Sequence, residues 1–284
     1  MKKIVLGDYL FQFIEGYFEG PGGYSSLEIV MLLSLYSIYI YADFSGYTSI
    51  VRGLAKLMGI DLVQNFNQPY LSSSPRNFWN RWHISLSNWL RDYVYIPLGG
   101  NRKGKRRTYM NLLMTMFIGG LWHGATPVYI IWGLLHGTYL AGHRWYIKRD
   151  GMRVSREGQS SRKEDIKKIL STILTFSLIT IAWIFFPPPS HASRWTLGDS
   201  FVTLQRLFSF TFEISFNMYN VPKVLIFSSI FLFVIDYTQR KMKKHEIFED
   251  MHWVVRGLCL TGVFILILFF FKNYAEVPFV YEGF

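Results

Sequence analysis

What most limits how this chain can fold is a series of apolar stretches close to membrane length. Ile169 to Phe186, Val224 to Ile235 with its flanks, and Val254 to Phe271 approach the about 20 apolar residues that a helix needs to cross a bilayer. Leu27 to Tyr41 and Pro127 to Leu140 are further candidates, and Tyr109 to Trp122 is a shorter one. The expected fold is therefore an all-α, polytopic membrane protein with about six membrane-embedded helices, together with re-entrant or interfacial segments. Composition agrees, since 50% of the residues are hydrophobic, 18% aromatic and only 17% charged. The sequence shows no internal repeat and reads as one membrane domain over residues 1–284.

A formal charge of +11 raises the question of nucleic acid, but the basic residues sit in short clusters between the apolar runs. Arg102 to Arg107 form one cluster, Arg144 to Lys168 a longer one, and Arg240 to Lys244 a third, while Pro187 to Asn220 has only Arg194 and Arg206. Positive-inside topology accounts for this pattern, and it sets the three clusters on the cytoplasmic face. A nucleic-acid partner is not expected. Gly151 to Lys163 is polar and lacks apolar periodicity, so a flexible cytoplasmic loop is expected there. Leu197 to Phe212 spaces Phe201, Leu204, Leu207 and Phe208 as a helix lying in the membrane surface would. Cys259 is the only cysteine, so one chain has neither a disulfide nor a cysteine-based metal site.

One segment breaks the apolar pattern. From Pro75 onward, Arg76, Arg81, Arg91 and Asp92 interrupt any run before it reaches membrane length, and Trp79, Trp82, Trp89, Tyr93 and Tyr95 are headgroup-zone residues. An amphipathic interfacial helix explains the aromatics and arginines but leaves His83 without a task. A second histidine, His123, follows in "GGLWHG", about 15 residues beyond the basic cluster and so inside the membrane. Polar side chains at that depth are costly and mark sites. Asn77 to Gly100 is thus read as a segment that dips into the bilayer and carries His83 toward His123.

These residues lie in longer phrases: "YADFSGYTSI" from Tyr41, "NFNQPYLSSSPRNFWNRWHISLSNWLRDYVYIPLGGNRKG" from Asn65, "NLLMTMFIGGLWHGA" from Asn111 and "WGLLHG" from Trp132. In that ordered set the chain resembles the membrane-bound O-acyltransferase family, most closely its bacterial alginate O-acetylation branch. The family carries further membrane helices ahead of the point matching "KKIVLGD", so the resemblance makes this chain the C-terminal part of the fold. It implies transfer of an acyl group, acetyl above all, from a thioester donor such as acetyl-CoA to hydroxyls of an exported polysaccharide or cell-wall polymer. It further implies no resident cofactor or metal, a multi-pass protein of the bacterial inner membrane, and periplasmic or extracellular partner proteins. The family's essential histidine maps to His123 and its second characteristic histidine to His83.

The chemistry suits those residue types. A sugar hydroxyl attacks well only if a base takes its proton, and imidazole does so near neutral pH. His123 is the candidate base, with a covalent acyl-histidine route left open. The oxyanion formed on the thioester needs donors, and Trp122, His83 or a backbone N–H among Gly119, Gly120 and Gly124 are equal candidates. Asp43 is read either as a carboxylate orienting a histidine or basic residue, or as an interfacial helix-end carboxylate. Arg91 and Asp92 are expected to form an ion pair locking the dipping segment in preference to touching substrate. His136 and His143 share a helical face at a spacing that suggests metal or haem, but no acidic partner accompanies them and packing is preferred. Competing readings are a transporter lined by His83, Asp43 and His123, and a cytochrome using His83 and His123.

Overall fold

The computed structural model describes residues 2–149, 162–215, 218–242 and 251–271. In chain order the described α-helices are α1 (Tyr9–Glu19), α2 (Ser26–Leu57), α3 (Pro75–Trp79), α4 (Ile84–Leu90), α5 (Lys105–His123), α6 (Pro127–Arg149), α7 (Arg162–Ala182), α8 (Leu197–Leu207), α9 (Val221–Met242) and α10 (Trp253–Phe271). No strand occurs among the described residues. Each predicted apolar run lies on one of these helices, except that Ile169 to Phe186 continues four residues past α7. Among the described residues three stretches are long and apolar enough to cross a membrane: Ser26–Leu57, Glu164–His191, which takes in α7 from Glu164 onward, and Val221–Met242. The protein is an all-α, multi-pass membrane protein. The polar loop expected from Gly151 to Lys163 lies outside the described residues, apart from the start of α7 at Arg162. So do Lys243 and Lys244 of the third basic cluster.

The chain divides into two compact units, of which the first combines residues before Val63 with those from Pro187 onward. Its centre is α2. Ser25 caps this helix, accepting from the Glu28 N–H at 3.2 Å while Glu28 accepts from the Ser25 N–H at 2.8 Å, so two otherwise orphaned donors are satisfied reciprocally. The surface helix expected from Leu197 is α8, which ends at Leu207, five residues earlier than its apolar spacing suggests. Asp43 is fully buried in α2 and forms an ion pair with Lys3, which also reaches Asp8 at 2.9 Å. Of the two expected readings, partnering a basic residue fits, and an interfacial helix end does not. Its carboxylate sits mid-helix, neutralised by an ammonium within its own unit. Asp236 of α9 is held similarly, accepting from Tyr41 Oη at 3.0 Å and pairing with Lys2 at 3.3 Å.

The second unit runs from Val63 to Phe186 and holds α3 to α7. Its frame is the antiparallel hairpin of α5 and α6, whose axes approach so closely that only glycine fits. A Cβ on Gly133 would lie 2.3 Å from the Met116 carbonyl oxygen, and one on Gly120 would lie 2.3 Å from that of Tyr129. Small residues that let backbones meet are how membrane helices gain packing energy where the hydrophobic effect offers none between them. The hairpin turns at Gly124, which has φ 151°, a conformation that side chains resist, before Pro127 opens α6.

Candidate active site

His123 is the last residue of α5, at the opposite end from the basic residues Lys105, Arg106 and Arg107 that begin the helix. Nineteen residues separate the ends inclusively, a length of about 28 Å at about 1.5 Å per residue. The imidazole is 2% exposed. It is enclosed by Phe186 at 4.8 Å, Trp132 at 5.0 Å and Tyr129 at 6.3 Å between ring centroids, the first two edge-on to its ring. Tyr129 and Trp132 occupy neighbouring turns of α6, and Phe186 follows α7. Edge-on contact is the arrangement that aromatic rings favour, and it fixes the plane of the imidazole.

Trp122 joins the two histidines. Its ring lies 4.8 Å from that of His123 and 6.0 Å from that of His83. The structure therefore brings His83, Trp122 and His123 together, although forty positions separate the histidines in sequence. Trp122 is 45% exposed, in contrast to the two residues it bridges.

The segment carrying His83 is neither a continuous helix nor a loop. Helix α3 stops at Trp79, and α4 starts at Ile84 with His83 before it at φ 40° and ψ 59°. A left-handed conformation at a residue with a Cβ costs about 1–2 kcal/mol, so the surroundings must impose it. They do so through residues 65–67. Asn65 accepts twice, from the Ile84 N–H at its carbonyl (3.0 Å) and from the Ser85 N–H at Oδ1 (3.0 Å). The Asn67 N–H donates to the Arg81 carbonyl at 2.9 Å, and Arg81 Nη1 donates back to the Asn67 carbonyl at 3.0 Å. Trp82, 1% exposed, stacks on Phe78 at 5.3 Å and anchors the other side of the turn. His83 is mostly buried and lies outside the spanning helices; burial pushes its imidazole down to about 4, so it is neutral at pH 7.

Beyond α4 the chain makes a wide helical turn, Arg91–Tyr95. Arg91 and Asp92 pair bidentately, Nε to Oδ1 at 2.7 Å and Nη2 to Oδ2 at 2.9 Å, and Arg91 Nη1 donates to Asn88 at 3.0 Å. The pair forms as expected but at the surface and within a single turn, so it stiffens that turn and ties no second element to it. Its hydrogen bond holds Asp92 below the usual carboxylate range. The segment is fastened instead by Asn111 of α5, whose Nδ2 donates to the Gly100 carbonyl at 2.9 Å and the Leu98 carbonyl at 3.2 Å. Among the described residues no three His, Cys, Asp or Glu side chains form a metal-ligand group.

A cavity of about 400 Å³ opens between this segment and the hairpin. Arg76, Asn80, Asn88 and Arg91 give it a polar side, while Leu112 and Met116 of α5 give it an apolar one, and Trp79 lines it as well. It borders the middle of α5, at Leu112, Thr115 and Met116.

Sequence reasoning did not reach Tyr129, Trp132, Phe186, Asn65 and Asn111. Trp132 and His136, four residues apart in "WGLLHG", share a helical face, and that spacing was a usable signal for the first. Nothing local marks Asn65, whose role depends on a turn twenty residues away.

The membrane-bound O-acyltransferase family model matches residues 24–187, and the chain belongs to that family. It is 44% identical over 165 residues to the "Probable alginate O-acetylase AlgI" of Pseudomonas aeruginosa, a match covering 58% of this chain and 29% of that protein. It is 41% identical over 187 residues to the peptidoglycan O-acetyltransferase of Helicobacter pylori, covering 65% and 33% respectively. The teichoic acid D-alanyltransferase of Bacillus subtilis is 32% identical over 211 residues, covering 67% of this chain and 51% of that protein. The chain thus spans about a third of the length of the acetylating relatives it matches.

Proposed function

We propose that this chain carries the reacting centre of an O-acyltransferase that moves an acetyl group from a thioester onto hydroxyls of an exported polysaccharide or cell-wall polymer. The observation that carries the reading is His123: an imidazole enclosed in aromatic rings, joined to His83 through Trp122, at the end of α5 remote from the basic cluster. With that cluster on the cytoplasmic side, His123 lies toward the outer leaflet, where an exported acceptor arrives. As base it takes the proton of the attacking hydroxyl, and the aromatic shell keeps water from intercepting the acyl group.

The donor is acetyl-CoA or another anionic acyl thioester arriving from the cytoplasm. The cavity bearing Arg76 and Arg91, beside the middle of the hairpin, supports that side of the reading by its arginines and its apolar floor. The relatives' names supply the acceptor class: alginate, peptidoglycan and teichoic acid are all exported polymers. An inner-membrane location and exported partner proteins that complete delivery belong to the same reading. The test is ester-linked acetate on each surface polymer from cells lacking the gene, complemented by the wild-type chain or by His123→Ala at equal membrane level. Acetate should return with the first and not with the second. Equal acetate in both refutes the reading.

A further inference from the structure

One turn along α6 from Trp132, His136 is completely buried. Trp79 Nε1 donates to its Nδ1 at 3.3 Å, and a ring nitrogen that accepts cannot carry the proton, so the neutral imidazole is the Nε2–H tautomer. Among the described residues that Nε2–H has no hydrogen-bond partner, and neither have the indole N–H groups of Trp132 and Trp183. All three rings are at most 1% exposed. They are also neighbours: His136 to Trp132 is 4.7 Å, Trp132 to Trp183 is 5.9 Å and His136 to Trp183 is 6.3 Å between centroids. Trp132 is the ring that packs edge-on against His123.

Packing alone has no use for this chemistry. Leucine or phenylalanine fills such space without burying a donor, and buried donors are paired almost everywhere in proteins. Here three donors cluster, one of them fixed in the donating tautomer by a dedicated partner, and indole and Nε2–H imidazole offer the cluster no acceptor in return. The cluster is chemically one-sided.

We propose that His136, with Trp132 and Trp183, forms a donor site for a neutral oxygen acceptor beside His123, and that this acceptor is the carbonyl oxygen of the acyl group in transfer. The inference rests on the acyl-transfer reading above and assigns the oxyanion donor that the sequence left open. As the hydroxyl oxygen bonds to the carbonyl carbon, His123 takes the hydroxyl proton and the carbonyl π pair moves onto oxygen, where the N–H groups meet it. Collapse restores the C=O bond, breaks the C–S bond and expels a thiolate, which recovers the proton from the imidazolium. A bound water offers the same lone pairs, and the test separates the two.

Membranes containing the full chain are given radiolabelled acetyl-CoA, with surface polymer from the same cells as acceptor. Wild type, His123→Ala, His136→Phe and His136→Gln are compared at equal inserted level. Phenylalanine keeps the ring and loses the donor, whereas glutamine keeps an N–H. His136→Phe should lower kcat by about 10²- to 10³-fold with KM for acetyl-CoA unchanged, and His136→Gln should recover about tenfold or more of it. Wild-type kcat in His136→Phe with a lowered melting temperature means that the donors hold water, and it overturns the assignment. Loss of rate to the same degree in both His136 variants, with KM raised, means a packing role and overturns it too. A wild-type chain as inert as His123→Ala overturns the acyl-transfer reading itself, an outcome distinct from either.

Discussion

Replacing Gly133 by alanine tests whether the α5–α6 contact sets the geometry of the site. The added Cβ meets the Met116 carbonyl oxygen at 2.3 Å and the Gly120 nitrogen at 3.1 Å, so the helices must part by about 1 Å to reach ordinary contact. Overpacking of this kind costs about 1–3 kcal/mol. It also moves His123, on α5, against Trp132, on α6, and a displacement of about 1 Å at a reacting group costs about 10²-fold in rate. Gly142, on the same helix, supplies the control, because a Cβ there meets nothing within 4 Å. Alanine at that position should be neutral or stabilise by up to about 1 kcal/mol through helix propensity. Melting temperatures of the detergent-extracted protein and label transfer from acetyl-CoA in membranes read both effects. Identical behaviour of Gly133→Ala and Gly142→Ala would show that the α5–α6 contact does not set the geometry of the site.

Other consequences are equally direct. Because His83 is held at φ 40°, His83→Gly should melt higher than His83→Ala, by the equivalent of about 1 kcal/mol, although both lack the imidazole. Asn65→Ala removes the Oδ1 acceptor of the Ser85 N–H and should destabilise by about 1–3 kcal/mol, with a further loss of rate as His83 drifts from Trp122; melting and transfer assays on one preparation report both. The His83 imidazole titrates at about 4 when folded and near 6.5 when unfolded, so the unfolded chain binds the proton first. Its contribution to stability is therefore complete above the unfolded value and is lost as pH falls from about 6.5 toward 4. His83→Gln should flatten the fall in melting temperature across that window.

The helices were legible because apolar length is a local property: five of the six predicted runs lie wholly within one helix, from Leu27 to Tyr41 in α2 to Val254 to Phe271 in α10, and the sixth, Ile169 to Phe186, runs four residues past α7. Their limits were less so. Helix α2 runs on to Leu57 through Arg52 and Lys56, since both residues favour helix whatever their polarity, and α5 begins within its basic cluster for the same reason. The pairing of His83 with His123 was visible as two costly polar residues in an apolar setting. The left-handed turn at His83, the Lys3 partner of Asp43 and the Trp79 partner of His136 were not, because each depends on contacts between residues far apart in sequence. The Arg91–Asp92 pair was legible for the opposite reason: adjacent charges pair with each other, and for that same reason they reveal nothing about distant elements.

In the proposed reaction His123 takes a proton from the acceptor hydroxyl inside its aromatic shell. The most direct measurement of this step is single-turnover transfer of labelled acetyl from acetyl-CoA to surface polymer by the full chain, comparing wild type with His123→Gln at equal inserted level and equal melting temperature. A fall of about 10²-fold or more in the transfer step is expected for His123→Gln. Transfer at the wild-type rate by that variant contradicts it.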